Sequence, residues 1–526
     1  MIRGSFLFDK LKVVLTKILS AAHFGLTTLP VEVEVNVSKK GFPSFNLIGL
    51  PGKSVDEAKE RVKTALINSG VDFPNAKIVV NLAPADVPKE GSNYDLPMAV
   101  GILNCLETLT LPSEKSFFYG ELSLDGSLRH TKGVLLLALY AKQKHVKNLF
   151  VPKESANEAA VVGGVNVYPV GTLVELIEFL NGAGSLVPLK HIETKRETLG
   201  LKAEFNFNEV MGQDTAKRAL TIAAAGGHNV HMQGPPGSGK TMLARAMAGI
   251  LPPLTEEESL EVTKISSVTG NVPPGGSLIR QRPFRLSHHT TSRIGLVGGG
   301  SNPHPGEISL AHRGVLFLDE FPEFSRSTLE ALRQPMEDGT VAITRAAGSV
   351  SFPAQFMLVA ASNPCPCGYL GDPKRECKCS PRMIMRYQTK LSGPLMDRID
   401  LHINVAAVEV EKLMAPGGKR QIKPESSKSI RARVMAAREI QDKRFKKEKG
   451  LYTNANMKNK HMKKYCQLDG ESSLLLKQAV NAYGLSARTY FRLIKVARTI
   501  ADLAEEKHIK VTNVAEALQY RVRGVE

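Results

Sequence analysis

No stretch of the 526-residue chain approaches the roughly 18 uninterrupted apolar residues that a membrane-crossing helix needs, and the apolar run at residues 13–19 is broken by Lys17 before a leader core can form. A membrane partner is therefore not expected, and the reading is cytoplasmic. Cysteine is scarce and uneven. Of six residues, Cys105 and Cys466 stand alone while Cys365, Cys367, Cys377 and Cys379 crowd together, which points to a metal rather than a disulfide framework. Acidic residues are in deficit, 51 against 69 basic ones, so the net charge is +18 and a polyanion such as nucleic acid is the favoured kind of partner. Gly and Pro number 44 and 30, too few for collagen-like or wholly disordered chains.

What is present is a chain long enough for about three domains. Residues 12–185 alternate short β-rich runs (31–35, 78–80) with a helical pattern over 56–68, which predicts an α/β domain. A polar, Lys-rich linker is expected over 186–204. From 205 to 410 strands and helices alternate again, and the apolar runs 314–318 and 356–361 read as parallel strands covered on both faces. Residues 411–526 read as helical, with candidate helices at 427–444, 472–483, 487–505 and 511–522. The basic excess is greatest there, with 16 Lys/Arg against 4 Asp/Glu between residues 416 and 466. Internal repeats and low-complexity tracts are missing.

Gly234, Pro235, Pro236, Gly237, Ser238, Gly239, Lys240 and Thr241 satisfy G-x-x-x-x-G-K-[ST] in full, after the apolar run 230–232 and before a helix-forming stretch at 242–248. Backbone N–H groups of such a loop cradle phosphate oxygens at a helix N-terminus, the lysine reaches the β and γ phosphates, and the threonine ligates Mg²⁺. The look-alike at residues 51–54 lacks the first glycine, since Leu47 stands there, and is an ordinary turn. At the end of the run 316–318, Asp319 and Glu320 supply one carboxylate for Mg²⁺ and one to orient and deprotonate a water; together with the loop they favour an ATP hydrolase over a GTPase. Asn363, ending the next apolar run, either holds the same water from the far side or starts a turn before Pro364. Arg398, between Asp397 and Asp400, is either an arginine offered to a neighbouring subunit's γ-phosphate or a surface ion pair.

These stretches, with residues 363–368, 392–400, 485–488 and 497–502, together with Pro283, Phe284, Arg285, His288, His289, Thr290 and residues 305–314, resemble the magnesium-chelatase-like AAA+ ATPases of the YifB/ComM type over nearly the whole chain. The resemblance implies an α/β fold: an N-terminal Lon-protease-like (ribosomal S5 domain 2-like) domain, a central AAA+ P-loop domain with a Cys-rich insertion at 365–379, and a C-terminal helical lid. It implies Lys240 and Thr241 as Walker A, Asp319 and Glu320 as Walker B, Asn363 as sensor 1, Arg398 as arginine finger and Arg488 as sensor 2, with ATP and Mg²⁺ as ligands. It further implies a homo-hexamer that drives DNA branch migration and extends heteroduplex in homologous recombination during natural transformation. Family hairpins map onto residues 295–306 and 340–352, where Arg345 either touches a phosphate backbone or is simply solvated. In the Lon-like domain Asn93 stands in place of the nucleophilic serine and Leu135 in place of the lysine, so a Ser–Lys dyad is not expected.

The cysteine pairs, each C-x-C and nine residues apart, offer four soft thiolates of the number tetrahedral Zn²⁺ prefers; a reduced Cys-rich loop and a redox pair are the other readings. A zinc knuckle here would clamp a loop and help to position Arg398. His288 and His289, being adjacent, are expected to project in different directions and to be structural or pore-loop residues. Two other functions compete with the DNA motor: a magnesium chelatase motor subunit, and an ATP-binding regulatory scaffold that does not act on DNA.

Overall fold

A computed structural model describes residues 14–39, 41–50, 52–192, 204–300, 303–345, 348–372, 375–407, 425–448 and 450–521. The first eleven residues, residues 193–203 of the expected linker, residues 408–424 at the expected boundary between the central and helical domains, including the start of the basic stretch, and position 522 of the last expected helix lie outside them. The chain forms two compact units, one of residues 1–196 and 259–279, the other of 197–258 and 280–526.

The first unit is built on a seven-stranded sheet. Alternating Val31, Val33 and Val35 in Thr27–Ser38 are fully buried, the period-two pattern of a strand with one covered face. This strand pairs antiparallel with Val14–Phe24 and with Lys77–Ala83; Ser116–Phe118, Asn148–Pro152 and Asn166–Val170 continue the sheet in parallel. Helix Asp95–Cys105 presses on it so closely that a methyl at Gly101 would lie 2.5 Å from Val35 Cγ2. Residues 259–279 belong here as well: Gly133 N donates to Ser267 O at 3.0 Å and Gly275 N to Glu154 O at 2.7 Å. Asn93 is buried and donates to Ala21 O at 3.3 Å, Leu135 is fully buried in apolar core, and Ser92 hydrogen-bonds Glu121.

The second unit carries a five-stranded parallel sheet in the order Phe284–Ser287, Val315–Leu318, Met357–Ser362, Val230–Gln233, Leu401–Asn404. The run predicted at 314–318 is wholly buried, and that predicted at 356–361 is buried from Met357 on, the strand extending to Ser362, the outcome expected of parallel strands sandwiched between helices. The C-terminal helices follow the predicted pattern: Ser427–Phe445, Gly470–Tyr483, Ala487–Leu503 and Val511–Gln519, with Asn459–Tyr465 an unpredicted short addition. Their starts are chemical: Ser426, Asp469 and Ser486 each accept a hydrogen bond from the backbone N–H three residues on. These helices share one apolar core with the sheet, Val434, Leu476, Val496 and Val514 joining Val230, Phe317 and Val359. The fold is thus a mixed α/β one with an N-terminal domain, a parallel-sheet domain and a helical C-terminal region.

Candidate nucleotide-binding site

The central strand Val230–Gln233 delivers the chain to the loop at residues 234–239, and helix Lys240–Met247 leaves it. Glycine is required at the entry: a Cβ at Gly234 would sit 2.1 Å from Val405 O. It is favoured at the exit, where Gly237 and Gly239 have φ of 75° and 89°. Pro235 and Ser238 are joined by a backbone hydrogen bond of 3.3 Å across Pro236, so the loop is a tight ring around a helix N-terminus, the geometry that receives phosphate.

Lys240 is buried and folds back into this ring, donating to Gly234 O at 2.7 Å, Pro235 O at 2.8 Å and Asn363 Oδ1 at 3.2 Å. Burial lowers its pKa, with Asp319 pulling the other way. Thr241 Oγ1 donates to Asp319 Oδ2 at 2.8 Å, which places the two expected Mg²⁺ ligands side by side. Glu320 follows with φ of 51°, an uncommon conformation for a non-glycine residue, and its N–H donates to Asp319 Oδ1 at 2.9 Å. A cavity of about 580 Å³ opens at the strand ends, lined among others by Gln233, Ser362 and Asn404; of the site residues only Asn363 lines it. Ligands of open α/β sheets bind at such carboxyl ends.

Two expected participants lie elsewhere. Arg398 and Arg488 both reach Glu337 Oε1, Arg488 Nη2 at 3.4 Å and Arg398 through a closer ion pair. Arg398 also donates to Pro394 O at 2.6 Å, and its own carbonyl is fastened by Asn229 Nδ2 at 3.0 Å. Neither arginine contacts Lys240, Asp319 or Glu320 among the described residues. The hairpin strands Thr340–Arg345 and Gly348–Pro353 pair antiparallel, whereas the other expected hairpin shrinks to Gly298–Gly299 against His304–Pro305, because helix Arg293–Val297 takes up its start. The two lean together: a Cβ at Gly298 would lie 3.0 Å from Ile343 Cδ1, and one at Gly299 3.2 Å from Arg345 Nη2. Arg345 itself is exposed.

The four cysteines do converge. Cys365 Sγ lies 3.4 Å from Cys367 Sγ and 3.6 Å from Cys377 Sγ, Cys367 and Cys377 are 3.6 Å apart, and all four sulfurs lie within 4.8 Å of one another. None forms a disulfide. Tetrahedral thiolates at about 2.3 Å from a zinc ion are about 3.8 Å apart, so the cluster fits one soft cation. It abuts the phosphate loop, since a Cβ at Gly368 would lie 2.5 Å from Pro236 Cδ.

Profile comparisons match residues 206–413 to "Magnesium chelatase, subunit ChlI", residues 33–155 to "Subunit ChlI of Mg-chelatase" and residues 424–521 to "Magnesium chelatase, subunit ChlI C-terminal". The chain is 45% identical over 506 residues to competence protein ComM of Haemophilus influenzae, covering 95% of this chain and 96% of that one. The chain belongs to the YifB/ComM-type magnesium-chelatase-like family. YifB of Escherichia coli is 42% identical over 504 residues, at 95% and 96% coverage. A magnesium-chelatase 67 kDa subunit of Heliobacterium mobile is 26% identical over 227 residues, covering 38% of this chain and 31% of that one.

The histidine expectation needs correction. His288 and His289 do not diverge: their rings lie 4.1 Å apart, His289 Nδ1 is 2.7 Å from Glu320 Oε2 and His288 Nε2 is 3.6 Å from the same oxygen. The chain has left strand Phe284–Ser287 by this point, so the alternation that sends neighbouring strand residues to opposite faces no longer applies. Glu337 carries no sequence signal: nothing in an isolated helical Glu announces two arginines brought to it from residues 398 and 488.

Proposed function

We propose that this protein is an ATP-hydrolysing, DNA-translocating ring motor of the ComM type, a homo-hexamer that drives branch migration and extends heteroduplex in recombination during natural transformation. The observation that carries the enzymatic half is the convergence of Lys240, Thr241, Asp319 and Asn363 on one loop at the carboxyl edge of the sheet, with Glu320 next along the chain. Lys240 exchanges the loop carbonyls for the β and γ phosphates of ATP. Asn363, released from Lys240, and Glu320, released from His289, hold the attacking water, and Glu320 accepts its proton as the water oxygen bonds to the γ-phosphorus and ADP departs. Thr241 and Asp319 hold Mg²⁺, which neutralises charge on the phosphate oxygens.

Arg398, which would have to leave Glu337, serves as the arginine finger toward a neighbouring protomer's nucleotide, and Arg488 serves as sensor 2. The ring itself is what the resemblance to the ComM type implies. The DNA half rests on the full-length similarity to a competence protein and on the +18 charge; the adjoining hairpins carrying Arg345 are its candidate contacts. Cys365, Cys367, Cys377 and Cys379 hold a structural Zn²⁺ whose chemistry is to tie the loop after Asn363 into one shape.

Steady-state ATP turnover with and without DNA tests this reading. Wild type should hydrolyse ATP and be stimulated by DNA, Lys240→Ala should be inactive, and Glu320→Gln should bind ATP but turn over at least about 100-fold more slowly. Turnover indifferent to DNA at every salt concentration would instead favour a chelatase-like or scaffolding role.

A further inference from the structure

The helix Pro381–Gln388 that closes the cysteine loop is nearly all surface. Arg382, Met383, Met385 and Arg386 are exposed on it, as is Lys378 between the last two cysteines. Arg382 and Arg386 stand four residues apart, a like-charge spacing that disfavours a helix, and neither these two nor Lys378 has an acidic partner among the described residues. The neighbouring cations differ: Lys390 pairs with Glu323 at 2.9 Å, and Arg375 donates to Tyr369 at 2.8 Å. Three exposed cations without a carboxylate partner among the described residues are thus presented on a loop drawn together by four converging sulfurs.

The other face of the same element touches the nucleotide site. Tyr387 is buried, Gln388 Nε2 donates to Pro364 O at 3.2 Å, and the residue before Pro364 is Asn363, whose Oδ1 accepts from Lys240 at 3.2 Å. Gly368 meets Pro236 of the phosphate loop so closely that a Cβ there would lie 2.5 Å from Cδ. Any load on the helix therefore has two short routes, one to Asn363 and Lys240 and one to Pro236.

The geometry points to the cysteine loop and its closing helix as a docking site for the phosphate backbone of DNA, through Lys378, Arg382 and Arg386, that relays DNA occupancy to the ATP site through Gln388 and Gly368. This inference deepens, and rests on, the DNA-motor reading above. Phosphates supply the direct anionic partners that Lys378, Arg382 and Arg386 lack, and release of their condensed counterions drives the association.

The test uses the full-length protein, a fluorescent double-stranded oligonucleotide and two variants. In Lys378→Ala/Arg382→Ala/Arg386→Ala, turnover without DNA stays at the wild-type rate, because no altered group touches nucleotide. The DNA concentration for half-maximal stimulation should rise at least tenfold, and the slope of log affinity against log salt should shrink by about 0.9 for each phosphate that is no longer neutralised. The charge-conserving Lys378→Arg/Arg382→Lys/Arg386→Lys should restore both. Gln388→Ala should bind DNA as wild type does and be stimulated several-fold less, which separates relay from binding. Wild-type affinity, salt slope and stimulation in the triple alanine variant would overturn the inference and leave the motor reading standing. Absence of DNA binding and stimulation in the wild type itself would overturn both.

Discussion

Lys240 is held by two carbonyls and an amide oxygen in a loop whose burial lowers its pKa; a phosphate supplies the charge partner that those neutral acceptors lack. Other enclosed bases, the buried His231 and the half-buried His23 and His402, have no such relief. Desolvation brings the pKa of His23 down to about 4, of His231 to about 3 and of His402 to about 4. The rings of His231 and His402 lie 5.8 Å apart. These folded values lie below the unfolded value of about 6.5, so the unfolded chain binds more protons between those limits. The stability these residues contribute is complete above pH 6.5 and is lost as the pH falls toward 4. Each should cost about 2 kcal/mol between pH 7 and pH 5. Urea midpoints measured at the two pH values should fall accordingly in wild type, and His23→Gln should flatten the dependence in the transition of the first unit. An unchanged midpoint in wild type would contradict this account.

At the scale of elements, the cysteine loop is the part whose shape is least explained by apolar packing. Its helix is capped by Ser380, which accepts from Met383 N at 3.4 Å, but most of its side chains face water. The account predicts one zinc per chain by elemental analysis, and less than half that in Cys367→Ser/Cys377→Ser. The variant should also bind ATP more weakly, since Gly368 buttresses Pro236; full zinc content in it would refute the ligand assignment. The elements themselves were largely readable from the chain. The phosphate loop, the acids after the buried strand and the capped C-terminal helices depend on residues close in sequence, where glycine placement, apolar runs and Ser or Asp caps speak directly. Contacts that close across the fold were not readable. His289 meets Glu320 across 31 positions, Glu337 gathers two distant arginines, and residues 259–279 leave the sheet domain for the first unit. Each depends on tertiary packing that no local pattern encodes.

For the whole molecule, the proposed ring, with Arg398 as the arginine finger in place of its pairing to Glu337, makes a prediction about assembly. Arg398→Ala and Lys240→Ala proteins should each be inactive alone. Mixed, they should recover part of the wild-type turnover, because some interfaces then pair an intact loop with an intact arginine. No recovery on mixing would place Arg398 outside the composite site. The positive charge of the chain, +18 overall, further predicts that DNA binding weakens steeply with salt. Strand exchange on a synthetic three-stranded or four-way DNA junction, with ATP, comparing wild type with Lys240→Ala and Glu320→Gln, tests whether the protein is a hydrolysis-powered DNA motor. The account predicts exchange by the wild type alone; exchange by either variant at the wild-type rate, or none by the wild type, would contradict it.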